Sequence, residues 1–272
     1  MKKILFFYLW ISPDFLENPA VKIHQYCLKK HVDVFDELNF VVAIDDKFDI
    51  EKIKIAQDWV SSIVGDKEYS LEVIGNTTPR ECNMLFSKIL PKIVNNDKDL
   101  CFIAHSKGIT DVNMHFRNKW SVSRWIISMY YYCFNDLLVI DEFANNDKYS
   151  MYGAHLTHFK NHPNTKLLTH GTMYCGNFYW IKPNLFNKNS IFSSIYPREE
   201  THRFLAENLP LYVNNESLYG PNNGATVENT IADLYYLEKD KWPAYLENYG
   251  DAEKCFDFQN EVLMNTIGEL GK

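Results

Sequence analysis

A chain of 272 residues with 46% apolar side chains is long enough for one large α/β domain, alone or with a small appendage, and excludes a disordered polymer. Its formal charge of -7, with 28 Lys and Arg scattered rather than clustered, argues against nucleic acid as a partner, because neutralising a phosphate backbone takes a basic face. Six cysteines lie far apart without a CxxC pair and read as reduced, buried thiols of a cytoplasmic protein.

Met1-Lys2-Lys3 followed by an apolar stretch resembles the start of a signal peptide. It runs into Ser12-Pro13-Asp14 with no small-residue cleavage site, so a first strand over 4–10 is the better reading. An amphipathic helix over 20–35 follows, then a strand over 38–44 that ends at Asp45 and Asp46, a helix over 49–64 and a short strand over 71–74. Thr77-Thr78-Pro79 caps a helix over 78–94. The next strand, 100–104, is the most informative segment. Its apolar run stops abruptly at His105-Ser106-Lys107-Gly108, which puts two cation-capable side chains and a flexible residue at a sheet edge, where open α/β sheets bind ligands. A diphosphate needs positive charge and close backbone approach, and these residue types supply both. A structural surface turn is the alternative.

Alternation of strand and helix through this half is the mark of a Rossmann-like sheet. Beyond it, 118–141 is aromatic and helical, 149–156 reads as a strand and 157–169 as a polar, His-rich loop, with a weak domain boundary near Asp141. Gly176-Asn177 is a turn or bulge leading into the aromatic strand Phe178-Tyr179-Trp180-Ile181. An acidic lead, Arg198-Glu199-Glu200, opens a helix to about 207; 214–226 is a loop, and 227–236 and 256–267 are further ordered elements. No run approaches the ~18–20 apolar residues of a membrane helix, which leaves peripheral association as the one form of membrane contact to consider.

His105-Ser106-Lys107-Gly108 and, about 70 residues on, Gly176-Asn177-Phe178-Tyr179-Trp180 together resemble a family of bacterial and viral polysaccharide glycosyltransferases. That family shows H-[ST]-K-G, an aromatic helix with a Trp and a Met, and G-N-F-[WY]-W. The resemblance covers roughly residues 1–210. It departs in the helix, where Arg124-Trp125 stands in place of Trp-Arg, and at the later Arg-then-Glu pattern, where Arg198 precedes two glutamates. The resemblance implies an α/β fold with a GT-A-like, Rossmann-type mixed sheet flanked by helices. It also implies one domain over 1–272: a nucleotide-binding half to about 115, an acceptor half to about 210 and a C-terminal extension. Implied with it are a nucleotide-sugar donor, a glycan or lipid-linked saccharide acceptor, and a place in the cytoplasm, peripheral to the inner membrane at most.

On that reading, His105, Lys107 and Gly108 hold the donor diphosphate where many GT-A enzymes place an Asp-x-Asp motif and a divalent metal. The site then needs little or no Mn²⁺ or Mg²⁺ and no protein metal centre. Asp45 meets base or ribose, or merely caps a turn; Tyr8 and Trp10 stack the base, or fill core. Inverting sugar transfer needs a carboxylate base, for which Glu200 and Glu199 are candidates and Asp111 a third, although the glutamates also suit a helix start. Gly176 and Asn177 line the donor sugar, with Trp180 as a wall or a core residue. His155, His158, His162 and His170 raise the question of zinc, but no Cys or acid completes a familiar spacing. Two other classes stay open: a non-catalytic carbohydrate-binding or scaffold protein, and a His-dependent metallohydrolase.

Overall fold

A computed structural model of the chain describes residues 1–75, 99–106, 109, 119–145, 151–153, 156–160, 170–174, 178–182 and 252–268. Strand β1 (Lys3–Trp10) is apolar at almost every position and buried throughout its middle, as a strand covered on both faces must be. Asp36 and Asp99 fix its start: their carboxylates accept the backbone N–H groups of Lys3 and Lys2, each at 2.8 Å. Helix α1 (Pro19–His31) begins where Asn18 accepts the Ala20 N–H at 3.0 Å and Pro19 pre-sets the first turn. It stops short of the expected residue 35. Val32–Val34 tightens into a 3₁₀ turn that swings Phe35 into the core ahead of β2 (Glu37–Ile44). Asp49 caps α2 (Ile50–Val64), and Gly65, at φ 61°, ends it. β3 (Ser70–Gly75) and β4 (Leu100–His105) follow the expected strands closely.

The expected helical stretch 118–141 is two helices, α3 (Lys119–Phe134) and α4 (Leu137–Asn145). The break has a local cause: the Asp136 carboxylate accepts the N–H of Leu138 at 2.9 Å and starts a new helix. No boundary falls at Asp141, which lies inside α4 and pairs with Lys3 at 2.8 Å. The expected strand 149–156 divides into β5 (Met151–Gly153) and the first residue of β6 (Leu156–Lys160). Residues 157–160, expected in a loop, are therefore strand: β6 pairs antiparallel with β7 (His170–Tyr174), Lys160 opposite His170. A two-stranded ladder satisfies backbone groups even in a polar sequence. β8 (Tyr179–Ile181) and a C-terminal helix, α5 (Ala252–Thr266), complete the described elements.

The main sheet has the order β3-β2-β1-β4-β8-β5. Its first four strands are parallel, and β8 runs against both β4 and β5. This is a mixed α/β sheet flanked by helices, with the Rossmann-type order in its parallel half. Leu5, Phe7 and Leu9 of β1 share one core with Phe40, Phe102 and residues of α1, α2, α3 and α5. Rings of Phe35, Phe102, Phe134 and Trp180 fill its centre, with centroids 4.7–6.1 Å apart.

Helix α5 belongs to this core rather than standing apart, for Val262 and Leu263 are fully buried in it. Arg124 of α3 donates to Gln259 at 3.0 Å and Asn260 at 3.2 Å, and Glu261 accepts from Lys30 at 2.5 Å and Tyr26 at 2.9 Å. The Lys30 hydrogen bond holds the Glu261 carboxyl below its ordinary range.

His31 closes the same junction. Its ring lies flat on Phe134 at 4.5 Å and 6.4 Å from Phe258, with Nε2 buried and without a hydrogen-bond partner among the described residues. Burial first, and Lys30 second, pull its pKa down to about 4. The native protein thus keeps His31 neutral where the unfolded chain takes up a proton, and the unfolded state binds more protons between the two values. Stability should be whole above the unfolded value and fall by at most about 3 kcal/mol as pH drops from ~6.5 toward 4. Urea melts of wild type and His31→Phe across that window check this; the variant should lose clearly less stability on acidification.

Candidate functional site

From β1 the chain steps through β2 to β3 on one side, then returns to β4 on the other. The carboxyl ends of β1 and β4 therefore lie at the switch point of the strand order, the place where open α/β sheets receive ligands. Tyr8 and His105 stand directly opposite each other there, and Trp10 stands opposite the small Ala43 of β2. Ser106 prolongs the pairing past the end of β4: its N–H donates to the Tyr8 carbonyl at 2.8 Å, and its hydroxyl accepts the Trp10 N–H at 3.0 Å. Three residues on, the Ile109 carbonyl accepts from Asn18 Nδ2 at 3.0 Å. The sequence of the expected anion loop is thus tethered on both sides, to β1 and to the cap of α1.

Burial sorts the expected residues. His105 is only 7% exposed and lies 6.1 Å from the Phe178 ring. Tyr8, 3% exposed, packs inside the sheet, whereas Trp10 is half-buried at the rim. Two polar atoms at this edge are buried without a hydrogen-bond partner among the described residues, Trp10 Nε1 and Ser12 Oγ. Leaving a buried donor unmatched costs about 1–3 kcal/mol, which makes this strand edge the candidate site. Ser12, Asn18 and Ser106 carry no motif of their own. The Asn-Pro cap pair and the Ser inside His105-Ser106-Lys107 are the signals that could have found the last two.

Asp45 sits exposed on the rim, 3.8 Å from Lys52, and Asp46 accepts the Phe48 N–H at 3.0 Å as a turn residue. Trp180 is core. It is fully buried, its Nε1 donates to the Cys133 carbonyl at 3.0 Å, and Phe102 and Tyr152 flank it in the sheet. A wall facing a sugar needs an exposed ring, so that expectation gives way to packing. Lys107, Gly108, Asp111, Gly176, Asn177, Glu199 and Glu200 lie outside the described residues, as do His155 and His162, the expected helices over 78–94 and 198–207, and the segments 214–226 and 227–236. His158 and His170 fall in β6 and β7, opposite Thr172 and Lys160. Among the described residues no cluster of three or more His, Cys, Asp or Glu gathers to hold a metal. Cys27 and Cys101 are buried, and desolvation pushes their thiols well above the ordinary range, which suits packing rather than reaction. No described helix is long and apolar enough to cross a membrane.

No protein-family model and no curated protein matches the chain. Among solved structures, the crystal structure of 4-diphosphocytidyl-2C-methyl-D-erythritol synthase aligns over 86% of this chain and 100% of its own. The TM-score is 0.41 and the sequence identity 10%, and a likeness at that level assigns neither activity nor substrate.

Trp180→Ala should cost about 3–5 kcal/mol in a denaturant melt, as truncating a fully buried Trp does. A loss below ~1 kcal/mol would return Trp180 to the surface of a site.

Proposed function

We propose that the chain is a glycosyltransferase that moves a sugar from a nucleotide-diphosphate sugar to a glycan or lipid-linked acceptor in surface polysaccharide synthesis. The observation that carries this reading is the pair of buried donors with no partner among the described residues, Trp10 Nε1 and Ser12 Oγ, at a switch-point edge that also bears His105. A base and ribose offer the acceptor oxygens and the flat surface that a half-buried indole and a buried hydroxyl can meet. His105 and Lys107 supply charge-assisted hydrogen bonds to the diphosphate, and Gly108 lets the backbone come close. Lys is a permanent point charge, so the donor binds with little or no help from Mn²⁺ or Mg²⁺. Asp45, exposed at the neighbouring strand end, is within the same edge for a ribose hydroxyl. Gly176 and Asn177, from the second motif, serve the donor sugar.

In the inverting form of the reaction, an acceptor hydroxyl oxygen bonds to the anomeric carbon as the bond from that carbon to the diphosphate breaks. The nucleoside diphosphate leaves with the electron pair, and the hydroxyl proton passes to a carboxylate. Glu200 is the base on this proposal, with Glu199 and then Asp111 next in order. What accelerates the step is the fixed positive charge at the leaving diphosphate, since negative charge grows there in the transition state.

Calorimetric titration with nucleoside diphosphates, with and without EDTA, tests the donor side. Lys107→Ala should weaken binding about 10- to 100-fold and Trp10→Phe about 3- to 10-fold, both with a folded protein. Unchanged affinity in both variants would remove the diphosphate assignment. Glu200→Gln should keep donor binding and cut turnover by about 10²–10⁴. Near-normal turnover would move the base to Glu199 or Asp111.

A further inference from the structure

Two loops leave the carboxyl ends of the neighbouring strands β1 and β2, residues 11–18 and 45–49, and the Ile11 N–H ties their roots by donating to the Ala43 carbonyl at 3.0 Å. The first loop buries Phe15 against Trp59, with centroids 6.0 Å apart, and turns the next residue, Leu16, out to 60% exposure. The second turns out Phe48 at 75% and Ile50 at 81% exposure. Phe48 immediately precedes the cap residue of α2. An apolar side chain there ordinarily folds back on the residue four into the helix, Ile53 here. It does not. Asp46 accepts the N–H of Phe48 through its carboxylate at 3.0 Å and that of Asp49 through its carbonyl at 2.9 Å, so the turn is held with the ring in water and Lys47 Nζ 5.0 Å from it.

Full burial of each such side chain is worth about 1.5–3 kcal/mol, so two loops that leave three of them out between them leave a surface with something to gain. Its collar is acidic: Asp14, Glu17, Asp45, Asp46 and Glu51 are exposed and Asp49 is half-buried, against Lys47, Lys52 and Lys54. We propose that Leu16, Phe48 and Ile50 form a docking surface for a protein segment that is amphipathic and basic, its apolar side seated on the three knobs and its Lys or Arg on the surrounding carboxylates. The charge selects this occupant. An anionic bilayer would be repelled by the same collar, and a second copy of a chain with net charge -7 would bring like charge to like. The proposal stands apart from the sugar-transfer reading and survives its failure.

The probe is a fluorescent synthetic helix of Leu and Lys with its leucines at i, i+3, i+4 and i+7, alongside a scramble of the same composition and a version with Glu for Lys. Fluorescence anisotropy follows their binding to wild type and to the double variant Phe48→Ser, Ile50→Ser, whose thermal unfolding reports that the exposed changes leave the fold intact. The amphipathic basic helix should bind wild type, lose about tenfold or more in the double variant, and weaken as salt rises. The other two peptides should bind weakly. The proposal is overturned by no binding, by equal binding of the scramble, by an undiminished affinity in the double variant, or by Phe48-dependent binding to phosphatidylcholine–phosphatidylserine vesicles in place of the peptide.

Discussion

Everything at the candidate site depends on β1 being hydrogen-bonded on both sides, to β2 and to β4, while its own chain runs on to β2 first. That connection makes the sheet grow in two directions from one strand and puts the switch point at its carboxyl end. The amino end is closed by carboxylates, Asp36 and Asp99, that take up the first free N–H groups. The carboxyl end is closed instead by Ser106 and Ala43, whose hydrogen bonds fix the backbone and leave the side chains of Trp10 and Ser12 without partners among the described residues. One strand thus has a satisfied end and an unsatisfied end. The unsatisfied end carries the proposed chemistry.

Rigidity behind this edge comes from the aromatic core under β4 and β8 and from α5, which a polar clasp of Arg124, Lys30 and Tyr26 holds against α1 and α3. The proposed diphosphate site would benefit from such backing, because binding groups act best when the elements behind them hold them in place. His105 shows the link between packing and chemistry most directly. It lies in the last position of a buried strand, against the Phe178 ring, so its orientation is set by the sheet rather than by solvent.

The parallel half of the sheet was legible in the sequence because each described strand is a short apolar run and the helices α1 and α2 between them are amphipathic, starting at the caps Asn18 and Asp49. Two kinds of event were not. A single carboxylate, Asp136, divides an unbroken aromatic helix pattern, and nothing in hydrophobic periodicity marks which Asp will turn inward to cap. β6 pairs with β7 across a polar sequence, a tertiary choice that composition reads as loop. At the site, the strand end at His105 was readable from the abrupt change in residue type. Whether an aromatic residue there faces ligand or core was not, because Tyr8 and Trp10 differ only in how far along the strand they lie before the edge opens. Trp180 gave the same ambiguity and resolves to core through its hydrogen bond to Cys133.

The central claim is that this edge binds a nucleotide diphosphate through protein side chains. A thermal-shift panel of nucleoside diphosphates and nucleotide sugars, each with Mn²⁺ and with EDTA, tests it most directly, because a ligand of the native state stabilises by about 2.7 kcal/mol at a hundredfold excess over its dissociation constant. The account predicts that one nucleotide and its sugar conjugate raise the unfolding temperature by several degrees and that the shift persists in EDTA. A protein whose unfolding temperature is unmoved by every nucleotide, with metal or without, would contradict it.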